Sequence, residues 1–360
     1  MAEKRVTLKD IARASGYSLV SVHRAINRKD GISGEVRQKI LKAAKDLGYT
    51  TNYVASSLKR RQVNLAVVLP ESEGSGKYYF RYIWKGCEAA AEAVFGYNIN
   101  TIRRTFSSRR NRSSQEQIAI LEELYEQWGD RLDGILTTPD SNNTQIQCLL
   151  SRFSGRGVSV VLIDNDFKDC GRLCCIAPND AYTGRLAAEL VDLVLNGQTG
   201  TVLVAAGDER SSSHKMNAAG FEEYFQNTNR GIRIKYVQDA DDPEQNRQRL
   251  LKSLQTDQTI VAAYSVRAGN TLPLCQAISA CPHGQTIFAV GSDLFPESAQ
   301  MLRRGVLKAI IYKNPYEKGY LGYFTLFEHL IKGQAPKSDA IRVNISIILR
   351  NNLRFFEEYI

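Results

Sequence analysis

At 360 residues the chain is too long for one ordinary core and is expected to form two or three domains. Its hydrophobic fraction of 43% is that of a globular protein, and no apolar run approaches the ~20 residues a membrane helix needs. Met1-Ala2-Glu3-Lys4-Arg5 lacks the apolar stretch of a signal peptide, so a cytoplasmic protein with no membrane partner is expected. The net charge of +9 is unevenly spread: residues 1–62 hold 14 Lys and Arg against 5 Asp and Glu, which leaves 33 of each sign in residues 63–360. A surplus confined to a small helical block points to a polyanion, usually nucleic acid.

Thr7–Ser15 predicts a first helix. Thr7 is its N-cap with an acid, Asp10, three residues on, and Leu8, Ile11 and Ala12 recur on one face. Gly16-Tyr17 breaks that helix, and Ser18 caps a second over Ser18–Asn27, whose inward residues are Val22, Ala25 and Ile26. So short a connection between two helices suits a helix-turn-helix. A third helix, Gly34–Leu47, sets Val36, Ile40, Ala43, Ala44 and Leu47 on one side, and Gly48 ends it. Leu19, Val20, His23, Arg24 and Asn27 are not needed for this small core. A helix fits the major groove, where residues near its N-terminus reach base edges. Arg24 then offers guanine a bidentate contact, or else meets phosphate or solvent, while Leu19 and Val20 offer apolar contact to a thymine methyl. The segment 52–60 is too short to hold as an isolated helix, with Val54, Ala55 and Leu58 on one side and Lys59-Arg60-Arg61 following.

Residues 63–360 alternate apolar runs with amphipathic segments. Buried strands are expected at 65–69, 134–136, 158–163, 201–205, 260–263, 287–290 and 307–311. Helices are expected at 80–95, 114–128, 143–154, 180–196, 214–227, 243–255 and 267–280. Such alternation predicts an α/β fold with parallel sheets covered on both faces, and the number of units predicts two lobes. Ligands in these folds sit beyond the carboxyl ends of the strands. Those ends collect Glu71, Tyr79, Phe80, Asp140, Asp164, Tyr264, Asp293 and Asn314. Aromatic faces that stack on C–H surfaces, with carboxylates and amides that clamp hydroxyls, suit a polyhydroxylated ligand.

Catalytic and metal readings find little support. The cysteines at 87, 148, 170, 174, 175, 275 and 281 are odd in number, and Cys170, Cys174 and Cys175 have no histidine nearby. Free thiols are expected rather than disulfides or a metal site. The four histidines (23, 214, 283 and 329) form no readable triad, and no phosphate-cradling glycine loop follows a strand. His214 lies near the expected cleft, with a surface or capping role the simpler assignment. A protein that is not an enzyme and uses no cofactor is expected.

The stretch Val6-Thr-Leu-Lys-Asp-Ile-Ala-Arg-Ala-Ser-Gly-Tyr-Ser-Leu-Val-Ser-Val-His-Arg-Ala-Ile-Asn27 resembles the LacI family of bacterial transcription regulators. The resemblance continues through Val36-Arg37, Ala44-Lys-Asp-Leu-Gly-Tyr49 and Asn52-Tyr-Val-Ala-Ser-Ser-Leu-Lys59. It implies that Leu19, Val20 and Arg24 read bases, and that His23 stands at a phosphate-contacting position usually held by Ser. It also implies that 52–60 is a hinge helix that packs against its mate in a dimer, with Leu58 wedged into a minor-groove step. The DNA-binding set is then Thr7, Ser18, Leu19, Val20, Ser21, His23, Arg24, Asn27, Tyr49, Asn52, Ala55, Leu58 and Lys59. The remainder resembles the periplasmic-binding-protein type I fold of that family's effector core, near its ribose-binding branch. By this resemblance Tyr79 and Phe80 form the aromatic pair after the first strand. Asp140, Asp164, Asp293 and Asn314 take ligand-clamping positions, and Asn217 stands where an effector-binding Arg is common. Tyr264-Ser265 replaces an Asn-Asp pair, so an ordinary hexose clamp is not implied. A sugar, a polyol, a cyclitol or another small metabolite all fit.

The domain expectation is a helix-turn-helix headpiece over 1–51, a hinge over 52–62 and a core over 63–360. The core divides into an N-lobe of 63–177 plus 316–339 and a C-lobe of 178–315 plus 340–360. The functional expectation is a dimeric repressor that binds a near-palindromic duplex and answers to a small-molecule effector. No leucine heptads close the sequence, which favours a dimer over a tetramer. The alternatives are a small-molecule binding protein without a DNA role and an enzyme on a doubly wound scaffold.

Overall fold

The computed structural model describes residues 6–26, 30–49, 61–108, 112–209, 211–228, 231–240 and 242–360. The chain divides into two compact units, 1–61 and 62–360.

In the first unit, α1 (Leu8–Ser15), α2 (Leu19–Ile26) and α3 (Gly34–Asp46) form where the caps permit. The Asp10 amide donates to Thr7 Oγ1 at 3.4 Å while the Asp10 carboxylate accepts the Thr7 amide at 2.9 Å, a reciprocal cap on α1. Gly16 ends α1 at φ 73°, a left-handed conformation that costs glycine little. The Ser21 amide donates to Ser18 Oγ at 3.1 Å, and the Val36 amide to Ser33 Oγ at 3.3 Å, which start α2 and α3. Ile11, Val22, Ala25, Ile40 and Ala44 close the core between them. Burying a branched side chain of this kind stabilises by roughly 1.5–3 kcal/mol, so these few residues hold the unit together.

In the second unit the N-lobe sheet runs β1 (Val63–Pro70), β2 (Ile99–Phe106), β3 (Gly134–Thr137), β4 (Ser159–Ile163), β5 (Cys174–Ala177) and β11 (Ala340–Arg342). The C-lobe sheet runs β6 (Gly200–Ala205), β7 (Ile232–Val237), β8 (Ile260–Ser265), β9 (Phe288–Ser292), β10 (Ala309–Tyr312) and β12 (Ser346–Ile348). Spatial order is β11-β5-β4-β3-β1-β2 in one and β12-β10-β9-β8-β6-β7 in the other, parallel throughout except β12 against β10. Helices cover both faces: α4 (Phe80–Ala93), α5 (Ser113–Trp128), α6 (Thr144–Gly155) and α12 (Pro315–Lys332) in the N-lobe. The C-lobe has α7 (Asp180–Leu195), α8 (Ser212–Thr228), α9 (Pro243–Thr256), α10 (Ala268–Ala280) and α11 (Pro296–Arg303). The expected apolar runs are β1, β3, β4, β6, β8, β9 and β10; the interior strand β5, four buried residues long, was not among them. The edge strands β2 and β7 were outside that expectation because their residues alternate: in β2, Ile102 and Phe106 are buried while Thr101 and Arg103 face solvent.

Two helix pairs cross closely because glycine stands at the contact. A Cβ on Gly184 of α7 would sit 1.9 Å from the Asn217 carbonyl oxygen of α8, and one on Gly319 of α12 the same distance from the Ile83 carbonyl oxygen of α4. The lobe boundary differs from expectation at one crossing. Ala340–Arg342 pairs in parallel with Cys175–Ala177, so the chain leaves the N-lobe after Arg342 rather than at 339. Two half-buried residues and one exposed residue carry too little pattern to mark a strand in sequence. Cys170, Cys174 and Cys175 are free and buried, and burial pushes the Cys174 thiol up to about 11. No described helix is long and apolar enough to cross a membrane.

Candidate functional site

Two places in the molecule present functional side chains, and each belongs to one unit. On the headpiece, Leu19 and Val20 are 45% and 61% exposed, large for apolar side chains on a helix whose other face fills a core. Thr7, Leu8, Lys9, Leu19, Val20 and His23 border one shallow depression. Arg24 is exposed beside it, and its Nη1 donates to the Gly31 carbonyl at 3.3 Å, which steers the side chain along the helix–turn surface. Ser18 and Ser21 are bonded to one another through their hydroxyls at 2.9 Å as part of the cap. Tyr49 packs against the core with its amide donating to the Ala44 carbonyl at 2.9 Å. Asn27, Asn52, Ala55, Leu58 and Lys59 lie outside the described residues.

The second place is a cavity of about 200 Å³ between the lobes, built at the carboxyl ends of both sheets. Strand ends supply Pro70, Thr138, Asp140, Asp164 and Asn165 from the N-lobe and Asp208, Arg267 and Lys313 from the C-lobe side. Tyr78, Tyr79, Phe80 and Phe106 give aromatic walls, and helix starts add Ser113, Ser114, Asp180, Ser213 and His214. The lobes also touch directly across the cleft. Lys77 Nζ lies 3.3 Å from Glu297 Oε1, the Tyr78 and Phe295 rings are 4.6 Å apart, and Ser212 Oγ donates to Asn165 Oδ1 at 3.3 Å.

The charges of this cleft are arranged in pairs. Asp164 follows β4 at φ 63° and Asp293 follows β9 at φ 61°, matching places in the two lobes. Such left-handed backbone is uncommon outside glycine and is tolerated by Asp and Asn. Each takes a lysine from the segment that returns from β10 into α12. Lys318 Nζ reaches Asp164 Oδ1 at 2.7 Å, and Lys313 Nζ reaches Asp293 Oδ2 at 3.1 Å. Lys318 also donates to the Tyr79 hydroxyl, which itself donates to Asp164 Oδ2 at 2.8 Å. Burial, and next the Asp164 charge, hold the Tyr79 phenol well above its ordinary value. Burial alone would lower the Lys313 ammonium, but Asp293 leads the groups that leave it raised. Arg267 Nη1 lies 3.0 Å from Asp239 Oδ2. His214 accepts the Asp208 amide on Nδ1 at 3.0 Å, and burial, with Arg267 and Lys313 adding, lowers its pKa to about 3. It is therefore the neutral imidazole with its proton on Nε2.

Of the expected effector residues, Tyr79, Phe80, Asp140 and Asp164 line the cavity. Five others do not. Glu71 accepts from Ser108 Oγ at 3.3 Å beside the cleft. Asn217 is 2% exposed and accepts the Tyr264 hydroxyl at 2.9 Å; Tyr264 is fully buried and stacks on Phe221 at 5.0 Å between centroids. Asp293 is fully buried behind Lys313, and Asn314 caps α12 through the Glu317 amide at 3.4 Å. Lys313, Lys318, Asp180 and Arg267 also line the cavity and were not among the expected residues. Their signal was faint: two lysines at the start of a helix read as solvated, and only a partner 154 residues away makes Lys318 a buried one.

Comparison with known proteins bears on both places. Residues 7–52 match the family described as bacterial regulatory proteins, lacI family, and residues 65–335 match the periplasmic binding protein domain. The HTH-type transcriptional regulator RegA of Clostridium saccharobutylicum is 27% identical over 161 residues, 44% of this chain and 45% of that protein. The HTH-type transcriptional regulator DegA of Bacillus subtilis is 22% identical over 220 residues, 61% of this chain and 60% of that protein. The alignment thus spans about half the length of these curated relatives. Among solved structures, an ABC-transporter solute-binding protein from Burkholderia graminis in complex with D-arabinose superposes with a TM-score of 0.72. It is 19% identical, with 82% of this chain and 98% of that one covered. GanP, a glucose-galactose binding protein from Geobacillus stearothermophilus, gives 0.69 at 20% identity, covering 82% of this chain and 99% of that one. Those two structures share the fold of the core. With one match over the headpiece and the other over most of the chain, the protein belongs to the LacI family of bacterial regulatory proteins, a helix-turn-helix headpiece joined to a periplasmic-binding-protein core.

Proposed function

We propose that this protein is a cytoplasmic transcriptional repressor that binds a near-palindromic DNA duplex as a homodimer and is controlled by a small molecule held between the lobes of its core. The observation that carries the reading is the pairing, in one chain, of an exposed Leu19-Val20 helix face in a basic unit with a walled polar cavity in a neutral one. The headpiece surplus of Lys and Arg supplies affinity for phosphate, which is indifferent to sequence. Leu19, Val20 and Arg24 supply the choice of bases. Two-fold symmetry then requires two half-sites. A ligand that prefers one lobe arrangement shifts the population of that arrangement and so the affinity for DNA.

The chain acts by binding rather than by chemistry. Its cleft histidine is buried, neutral and bonded to a backbone amide, so it is poorly placed as a proton acceptor for a nucleophile. No cofactor enters the scheme. The relatives named as HTH-type regulators and the solved sugar-binding neighbours support the two halves of this reading. The test is selection of duplexes from a random pool, followed by fluorescence-anisotropy titration. Enrichment of a near-palindrome, bound with steep salt dependence, is expected. Equal binding of the selected and a scrambled duplex refutes the reading. A transport-type binding protein would bind small ligands and enrich no duplex.

A further inference from the structure

Asp180 is a buried acid on the cavity wall whose position asks for a partner that the described residues do not provide. It opens α7, is 4% exposed and borders the cavity, and its Oδ1 has no hydrogen-bond partner. Ser213 is bonded to the carboxyl group, and the charged groups that face it are Lys318 and Lys313 at the start of α12 and Asp164 after β4. Neither lysine is available to it: Lys318 is committed to Asp164 and Tyr79, and Lys313 to Asp293. Arg267 is held by Asp239, and its buried Nε–H, also on the cavity, lacks an acceptor. Asp140 is met by neutral donors, Ser114 Oγ at 2.5 Å and the Asn142 amide at 3.2 Å. Every cation that the described residues bring to the cavity is therefore matched by an acid, while Asp180 and Asp140 are not matched by a cation.

A buried carboxylate oxygen that accepts no hydrogen bond is destabilised until a donor reaches it. A neutral hydroxyl supplies a hydrogen bond; an ammonium supplies the bond and the missing charge, and charge-assisted bonds are roughly twice as strong. The aromatic walls and the serines around them suit a small ring or chain bearing hydroxyls. We propose that the cleft ligand is a small polyhydroxylated amine, such as an amino sugar or amino polyol, whose ammonium group seats on Asp180 while a hydroxyl or ring oxygen accepts from Arg267 Nε. This inference rests on the effector-cleft reading above and adds the chemical class.

In the free protein, burial raises the Asp180 pKa to about 6, with Ser213 and the two lysines opposing. His214, at about 3, is already neutral in the same range. The amine must therefore bind more weakly as the solution is acidified and Asp180 takes up its proton.

The test uses the full chain and matched pairs in calorimetric titration: glucosamine against glucose, galactosamine against galactose, mannosamine against mannose, and glucamine against sorbitol. At least one amine is expected to bind at least tenfold tighter than its hydroxyl partner. That preference is expected to vanish in Asp180→Asn, and the amine affinity to fall about tenfold from pH 7.5 to pH 5. A cooperative urea-unfolding transition of the core serves as the check that Asp180→Asn is folded. If a hydroxyl partner binds as well as its amine, if Asp180→Asn keeps the preference, or if no amine binds, the amine assignment is overturned. Binding of a neutral partner alone would leave the effector reading standing, whereas failure to enrich a duplex would sink that reading without touching the ligand result.

Discussion

The headpiece and the cleft handle charge in opposite ways. Residues 1–62 carry 14 Lys and Arg against 5 Asp and Glu, an excess that suits a partner with a regular array of phosphates. In the cleft, charge is buried and compensated inside the chain: Asp164 with Lys318, Asp293 with Lys313 and Asp239 with Arg267. The first arrangement gains free energy only when a polyanion arrives and releases its counterions. The second is satisfied beforehand except at Asp180 Oδ1, Arg267 Nε and Asp293 Oδ2, the last of which keeps its ion pair with Lys313, so a small ligand meets a prepared surface with defined vacancies on the cavity wall at Asp180 and Arg267. Placing the surplus in one unit and the buried pairs in the other separates affinity for polyanions from recognition of a small ligand.

Four perturbations sharpen or break that contrast. The largest effect is expected from Lys318→Met, which leaves the Asp164 carboxylate without its cation in a closed site. Breaking a buried pair on one side costs about 3–5 kcal/mol, read in urea unfolding of the core. A loss below about 1 kcal/mol would mean the pair contributes nothing to the cleft floor. Next, Ile11→Ala empties part of the headpiece core, where Ile11 is fully buried, at a cost of about 2–4 kcal/mol. Operator affinity should collapse while the thermal transition of the core stays in place; movement of both together would contradict two separate units.

Third, Arg24→Ala should cost about 1–3 kcal/mol on the operator and relax preference at one base pair. Changing a phosphate-contacting lysine instead should lower affinity across all duplexes and flatten the salt slope. A uniform loss with Arg24→Ala would move that residue to the backbone-contacting class.

The fourth concerns pH. Asp180 has a folded pKa raised to about 6, above its unfolded value, so folding takes up a proton between the two. Its ionised form therefore penalises the folded state above about pH 6, and the penalty is relieved as pH falls toward 4. His214, lowered to about 3, works in the opposite direction: its contribution is full above its unfolded value near 6.5 and is lost as pH falls below that. Asp180→Asn should then raise core stability at pH 7 by about 1–3 kcal/mol and remove the relief on acidification, measured by urea midpoints at pH 7 and pH 5. An unchanged midpoint at pH 7 would show that Asp180 has already found a partner in the free protein.

The headpiece was legible in sequence because its determinants are local. Thr7 with Asp10, Ser18, and Gly16 each act within one helical turn, and the structure forms those caps. The two lobes were legible because buried parallel strands are continuous apolar runs, as in β1 and β4. The cleft was legible in part because strand ends are its geometric rule, and Tyr79, Phe80, Asp140 and Asp164 sit there. What sequence order could not supply was which polar groups answer one another. Asn217 and Tyr264 bond together and leave the cleft, while Lys318 crosses to Asp164 and becomes its floor. A lysine in the first turn of a helix is usually solvated, and nothing near Lys318 in sequence announces otherwise. Leu58, the expected minor-groove wedge, lies outside the described residues.

The central claim is that cleft and headpiece are energetically coupled, and coupling must be reciprocal. The direct measurement is the factor by which the tightest ligand of the amine and hydroxyl panel changes operator affinity, set beside the factor by which operator changes affinity for that ligand. The account predicts two equal factors, each well removed from one. Operator affinity that is the same with the cleft empty and saturated would contradict it.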